Sequence, residues 1–199
     1  MTVAVIGQRL FGWGFDLFMA PLERWKLHRI RRRLIPAASG DVLELGAGTG
    51  VNVGYYRPEK IRSLTLSDRD ERSILLAERS GRVDAALRRR IGTARVDAER
   101  LPFPDASFDT VTATLLFCSV DCPLCGFEEI ARVLRPGGRY LFLEHVLPHT
   151  PGPAWLFDRI NPVWNAVSRG CNLNRDTVAR IAAAGFSIDT LHCDGRDGV

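Results

Sequence analysis

Three groups of residues stand at spacings that could support ligand chemistry. Val42-Leu43-Glu44-Leu45-Gly46-Ala47-Gly48-Thr49-Gly50 runs an apolar stretch straight into three glycines. Glycine lets a backbone turn sharply and approach a ligand closely. In an open α/β sheet, ligands bind at the carboxyl ends of the strands. The spacing is Gly-x-Gly-x-Gly, so the third glycine comes one residue earlier than in the dinucleotide pattern. That disfavours a pyrophosphate on a helix N-terminus and suits a ligand without phosphate. Asp68 follows about twenty residues later, where an acid reaches a ribose diol. Asp97, followed by Ala98, stands where an acid could accept from an adenine amino group. A ligand-free glycine turn and solvated turn acids are the alternatives for each feature alone. Together, at the ends of three consecutive strands, they argue for one site.

Such a site needs strands that end side by side. Residues 8–35 read as helix interrupted near Pro21, with Phe11, Phe15, Phe18, Leu22, Trp25 and Ile30 roughly on one face and arginines over much of the rest. Residues 36–40 break the chain. Strands and helices then alternate. Strands are predicted at 42–45, 61–67, 91–96, 109–116 and 139–146, the fourth rich in β-branched residues. A helix of two turns is predicted after the glycine loop, then helices at 69–79 and 124–134, with a separate turn at 82–90. Pro136-Gly137-Gly138 stops the second of these helices. Helices at 155–167 and 176–184 and a last strand at 186–192 complete the pattern. Alternation of this kind predicts a doubly wound, mostly parallel Rossmann-like α/β sheet with right-handed crossovers. Residues 1–38 form an N-terminal helical lid and 39–199 a single globular domain.

The bulk properties agree with one domain. At 199 residues, 46% hydrophobic and 25% charged, the chain is globular. Its net charge of +4 is concentrated at Arg24, Lys26, His28, Arg29, Arg31, Arg32 and Arg33. A nucleic-acid binder would spread such charge along a groove-sized surface, so no nucleic-acid partner is expected. No stretch reaches the roughly 18 uncharged apolar residues of a spanning helix. Residues 2–20 contain Arg9 and Asp16 and lack the marks of a signal peptide. A cytoplasmic, reducing location is therefore expected, with the five cysteines as thiols.

The chain resembles the class I S-adenosylmethionine-dependent methyltransferases of the type-11 group, over about residues 41–186. The likeness rests on Leu43 to Gly50, Asp68, the run Asp97-Ala98-Glu99-Arg100-Leu101-Pro102-Phe103-Pro104-Asp105-Ala106-Ser107-Phe108-Asp109, and Leu134-Arg135-Pro136-Gly137-Gly138. The resemblance implies S-adenosylmethionine as cofactor. Glu44, Gly46, Ala47, Gly48, Gly50 and Asn52 would back its methionine part, Asp68 and Arg69 its ribose, and Asp97 and Ala98 its adenine. Thr114 and Leu115 would line the sulfonium side. Leu116-Phe117-Cys118-Ser119-Val120, Leu143-Glu144-His145-Val146, Pro162-Val163-Trp164 and Gly170-Cys171-Asn172-Leu173 look like the thiol S-methyltransferase-like branch. That likeness implies a small, fairly apolar acceptor, with a thiol as first choice. Oxygen or nitrogen acceptors on a lipid, quinone or secondary metabolite are the alternative, and a catalytically idle cofactor-binding protein is a second. The acceptor pocket would draw on Phe15, Phe117, Cys118, His145, Trp155, Trp164 and Cys171. The family sheet ordinarily ends in an antiparallel strand. The polar stretch 192–199 is too short for one, so that strand is expected to be missing or vestigial. The strand at 186–192 would then pair with the fifth, or leave an edge on which a homodimer could form.

Cys118-x-x-x-Cys122-x-x-Cys125 matches the iron–sulfur spacing of radical S-adenosylmethionine enzymes. It follows a fourth strand in a sheet with its own cofactor loop, so no cluster is expected. A zinc site with Cys171 or His145 lacks paired C-x-x-C spacing. No metal is expected. The basic helix reads as a solvated face, as a lid over the acceptor, or as a helix lying weakly on a membrane surface. A thiol attacks as thiolate from a pKa near 8.5. His145, at the end of the fifth strand, is proposed as general base or substrate orienter, with Glu144 or Asp121 as its partner. The alternative for His145 is a structural strand-end hydrogen bond. Turnover of His145→Ala on a competent acceptor separates the two: a fall of about 100-fold or more is expected for a base, and undiminished turnover removes the catalytic role.

Overall fold

Strands that are apolar on both faces need cover on both faces, and a parallel sheet flanked by helices supplies it. The computed structural model describes residues 27–78, 83–144, 154–167, 170–172 and 174–191, without the side chains of residues 78, 154–157, 163 and 167. Strands β1 (Gly40–Leu45), β2 (Ile61–Asp68), β3 (Ile91–Arg95), β4 (Phe108–Thr114) and β5 (Leu134–Leu143) form one sheet in the order β3-β2-β1-β4-β5. Every pairing in it is parallel. Strand order reverses between β1 and β4, which opens a crevice at their carboxyl ends. Among the described residues the sheet has no antiparallel strand. Around it lie α1 (His28–Leu34), α2 (Glu71–Glu78), α3 (Ala85–Arg88), α4 (Pro123–Val133), α5 (Ala154–Val167) and α6 (Thr177–Ala183). The doubly wound Rossmann-like fold is thus as expected.

Alternation along the strands builds two cores. Leu43, Leu45, Val111 and Ala113 face α4 and α6, packing with Phe117, Phe127, Ile130 and Ile181. Val42, Leu64 and Leu66 face the other way, onto Ile35, Val53, Tyr56, Ala77 and Leu87. The register Val42↔Thr110 and Leu43↔Val111 keeps the two faces consistent across β1 and β4.

Several local expectations need correction. The two-turn helix after the glycine loop is replaced by 3-10 turns at Val53–Tyr55 and Pro58–Lys60. β-branched Val51 and Val53, then Gly54 and Pro58, oppose an α-helix there. β5 begins directly at Leu134, so Pro136-Gly137-Gly138 lies inside the strand, beside a register irregularity opposite Phe108 and Thr110. Residues 186–191 form no strand and do not pair with β5. The Phe186 ring packs on Tyr140 of β5 at 5.7 Å between centroids, and the Phe186 N–H returns to Ile181 O. Cys122 and Cys125 are joined in a disulfide rather than standing as two thiols. The helix expected at 8–35 is described from Leu27 onward. Residues 1–26, including Phe15, lie outside the described residues.

One carboxylate is buried in this interior. Glu44 is 1% exposed and faces the same side as Val42. Burial pushes its pKa up from the usual 4.5 to about 7. Hydrogen bonds from Tyr56 and Asn52 and the charge of Arg31 pull the other way, but loss of water outweighs them. The folded state therefore holds this proton more tightly than the unfolded chain does. Stability from this group is fully present below about pH 4.5 and is lost as pH rises through about 7. Wild-type unfolding free energy is expected to fall by about 2 kcal/mol between pH 5 and 7.5 from this group alone. Glu44→Gln should remove that slope. Denaturant titrations of both proteins across the window check it, and equal slopes would assign the dependence elsewhere.

Candidate active site

The glycine loop sits where β1 meets the switch point. Gly46, Gly48 and Gly50 have φ of +66°, +54° and +74°, a region that side chains with a Cβ avoid. Space adds to the demand. A Cβ on Gly50 would stand 2.8 Å from Ala77 Cα, and one on Gly46 2.9 Å from Leu116 Cδ1. The loop is pinned by Ala47 N–H to Ser67 O at 2.9 Å and by Gly48 N–H to Asp68 Oδ2 at 2.9 Å. Asp68 thus ends β2 directly against the loop, and its other oxygen takes the Asp70 N–H. Asp97 is exposed after β3, where its carboxylate accepts from Glu99 N–H. Arg69 Nη2 lies 3.9 Å from it, also exposed. Ala98 is half-buried beside it. The three strand ends therefore do bring the loop, Asp68 and Asp97 to one edge of the sheet.

Beneath the loop runs a buried polar network. In β4, alternation sends Val111 and Ala113 to one core and Thr110, Thr112 and Thr114 to the other face. Asn52 Nδ2 donates to Glu44 Oε1 at 2.9 Å and to Thr114 Oγ1 at 3.0 Å. Tyr56 OH donates to Glu44 Oε2 at 2.9 Å and lies 2.7 Å from Thr112 Oγ1. Arg31 reaches in from α1, donating to Asn52 Oδ1 and, at 3.0 Å, to Thr114 Oγ1. The sequence pattern predicts arginines over the outer face of this helix. Arg29, Arg32 and Arg33 are indeed exposed, but Arg31 is buried. Leu27, Arg31 and Ile35 are spaced i, i+4, i+8, so all three look inward. The Arg31 guanidinium meets the carboxyl end of β4 at Thr114 and the loop after β1 at Asn52.

The opposite rim is the loop of residues 115–122, and it is held by side chains. Leu115 adopts φ +55° and donates its N–H to Leu143 O at 2.7 Å. The Glu144 carboxylate accepts from the N–H groups of Leu116 and Phe117 at 2.9 Å each and Cys118 at 3.3 Å. Glu99 Oε1 takes those of Asp121 and Cys122 at 2.9 and 3.1 Å. On the carbonyl side, Asn172 donates twice to Cys118 O, and Arg175 donates to Phe117 O and Val120 O. Glu144 was expected as a partner of His145. His145 lies outside the described residues; the Glu144 carboxylate itself accepts from three backbone N–H groups, which makes it a clamp on the loop. Asp121 is exposed on the same loop.

The expected acceptor wall divides. Phe117 is fully buried in the α4 core, 4.3 Å from the Phe127 ring, so it braces the rim from below rather than facing an acceptor. Cys118 and Cys171 are buried too, their thiols hydrogen-bonded to each other. That bond, burial and the nearby Glu144 charge push the Cys118 thiol far above the usual cysteine range, which disfavours the thiolate form. Trp164 is half-buried on α5. Phe15, His145 and the Trp155 side chain lie outside the described residues. Among the described residues no three His, Cys, Asp or Glu side chains gather as metal ligands. The sequence reading missed Arg31, Tyr56, Thr112, Glu99, Asn172 and Arg175. The i, i+4 spacing of Arg31 between Leu27 and Ile35 was a usable signal; the partners of the others are set by tertiary contact.

A methyltransferase domain family matches residues 43–142. Human thiol S-methyltransferase TMT1B is 32% identical over 179 residues, 85% of this chain. The ubiquinone/menaquinone biosynthesis C-methyltransferase UbiE of Cellvibrio japonicus is 33% identical over 143 residues, 68% of this chain. The chain spans 72% of the human protein's length, 59% of its rat counterpart's and 56% of the C. japonicus protein's. The crystal structure of an S-adenosylmethionine-dependent methyltransferase from Mesorhizobium loti superposes with a TM-score of 0.63 at 20% identity, covering 81% of each chain. With its glycine loop, its strand-end acids and this match across half its length, the chain belongs to the S-adenosylmethionine-dependent methyltransferases.

Proposed function

We propose that the protein carries S-adenosylmethionine across the ends of β1, β2 and β3 and transfers its methyl group to a small thiol. The observation that carries the cofactor half is the glycine loop. Three left-handed glycines strip the backbone of side chains where β1 ends, with Asp68 at its flank. Those residues fit an uncharged-backbone approach to the methionine end and a carboxylate reach to a ribose. When bound, the cofactor supplies an electrophilic methyl group on a sulfonium. The protein's part is to hold that methyl and the acceptor in line and keep water out. Arg31 brings a positive charge to the buried end, matching the carboxylate of a methionine, and Glu44 holds Asn52 and Tyr56 beside it. The clamped rim, 115–122, fixes the acceptor side. Its four-way restraint by Glu144, Glu99, Asn172 and Arg175 serves positioning.

The thiol acceptor rests on the likeness to the TMT1B relatives. His145 is the proposed base or orienter, and Asp121 its exposed neighbour on the rim. The UbiE likeness supports a second reading, methylation of a quinone-like or other lipid acceptor. A reducing cytoplasmic setting is the working proposal for location. Among the described residues no helix is long and apolar enough to cross a membrane, and the basic residues 24–33 are proposed as the contact if the protein meets a membrane surface.

Calorimetry with S-adenosylmethionine tests the cofactor step, and saturable micromolar binding is expected. An acceptor panel of an alkyl thiol, a phenol, an amine and a quinol tests the second. The thioether should form at least tenfold faster than any other product. A dominant quinol product would move the assignment to the second reading, and tight cofactor binding without transfer to any acceptor would leave a non-catalytic cofactor-binding protein.

A further inference from the structure

The turn that opens α4 reads Cys122-Pro123-Leu124-Cys125. Its cysteines are joined in a disulfide with Cα atoms 5.4 Å apart, and both residues are only partly buried. The ring encloses two residues that the first turn of α4 already orders. A disulfide stabilises through the length of chain it closes, so this one staples very little. Its placement is the more informative property. Cys122 is the N-cap of α4, and its sulfur accepts the Cys125 N–H at 3.4 Å. Pro123 at the first helical position presets that turn. A sulfur facing the first N–H groups of an eleven-residue helix is stabilised as thiolate. Cys125, one turn on, is placed to displace whatever Cys122 carries. Glu99 and Asp121 bring negative charge to the same turn, and Arg175 brings positive charge to the loop before it.

The neighbouring cysteines behave differently. Cys118 and Cys171 are buried thiols bonded to each other, without the exposure that exchange requires. Cys193 lies outside the described residues.

We infer that Cys122 and Cys125 form a thiol–disulfide exchange site for low-molecular-weight thiols and disulfides. In the reduced pair, the Cys122 thiolate attacks one sulfur of a small disulfide RSSR. A Cys122–SR bond forms, the S–S bond of RSSR breaks, and RS⁻ leaves. Cys125 then loses its proton to solvent, attacks the Cys122 sulfur and expels the second RS⁻. Two electrons pass from the protein dithiol to RSSR, and the two protons released end on two RSH. Two RSH run the same steps backwards and reduce the protein. The exchange needs neither the methyl donor nor a particular acceptor, so it goes beyond methyl transfer.

Glutathione and its disulfide are the probe. The full chain is equilibrated across graded ratios of the two, quenched, alkylated and mapped by peptide mass spectrometry. Cys122 and Cys125 are expected to convert together between disulfide and doubly alkylated dithiol within that range, while Cys118 and Cys171 stay thiols throughout. Cys125→Ser should retain glutathione on Cys122. Cys122→Ser should take it up on Cys125 at least tenfold more slowly, with circular dichroism confirming both folds. A pair that stays disulfide under excess glutathione, or stays dithiol under excess glutathione disulfide, overturns the inference without need of either variant. So does equal uptake by the two variants. Methyl transfer is not the readout, so failure of exchange and failure of methylation are told apart.

Discussion

A carboxylate buried at the carboxyl end of β1 sets the terms for the rest of the site. Glu44, on β1 two residues before Gly46, is almost fully buried, and an unsatisfied buried acid would be costly. Its two oxygens are answered by Asn52 and Tyr56. Those side chains come from the loop just past the glycines, so satisfying Glu44 folds that loop back over the strand. Thr112 and Thr114 meet the same groups from β4, and Arg31 closes the set from α1. One buried acid thus ties together the glycine loop, two central strands and the helix that precedes the sheet. A polar network of this kind is rigid when every member is satisfied, which is what a site for a zwitterionic ligand requires.

The opposite rim follows the same logic with different atoms. Residues 115–122 belong to no helix or strand, so their N–H and C=O groups need partners. Glu144 and Glu99 take the N–H groups; Asn172 and Arg175 give to the carbonyls. The donors and acceptors come from just past β5, from the segment after β3 and from the stretch before α6. The loop's shape is therefore a readout of how three distant parts of the chain pack. Phe117 and the Cys118–Cys171 contact press up from the core beneath it. The disulfide at its far end adds a covalent element whose state depends on the surrounding thiol pool.

Much of this was legible in the residues themselves. Repeated apolar stretches ending in glycine or aspartate marked where the parallel strands stop. Helix 124–134 and the strands at 42–45, 61–67 and 91–96 lie within a few residues of the observed elements. Failures fell where local preference competes with tertiary bonds. The two turns after the glycine loop read as helix, yet Val51, Val53, Gly54 and Pro58 disfavour it, Asn52 and Tyr56 are drawn to Glu44, and the turns are 3-10. Residues 186–192 read as strand, yet the described part, 186–191, forms none, and the Phe186 ring packs on Tyr140. Arg31 read as surface, because arginine usually is.

The five parallel strands, the glycine loop and the acids at the strand ends were readable from the residues alone. Those depend on periodicity and on backbone conformations that few residue types adopt, both local properties. Which polar group satisfies which is set by the packed chain. It turned Arg31 inward, made Glu144 a clamp on backbone N–H groups, buried Phe117 below the rim, and brought Cys118 against Cys171 but Cys122 against Cys125. Pairings of that kind join residues up to eighty or more positions apart. They are chosen by the need to leave no buried polar group alone, a condition that exists only once the chain has packed.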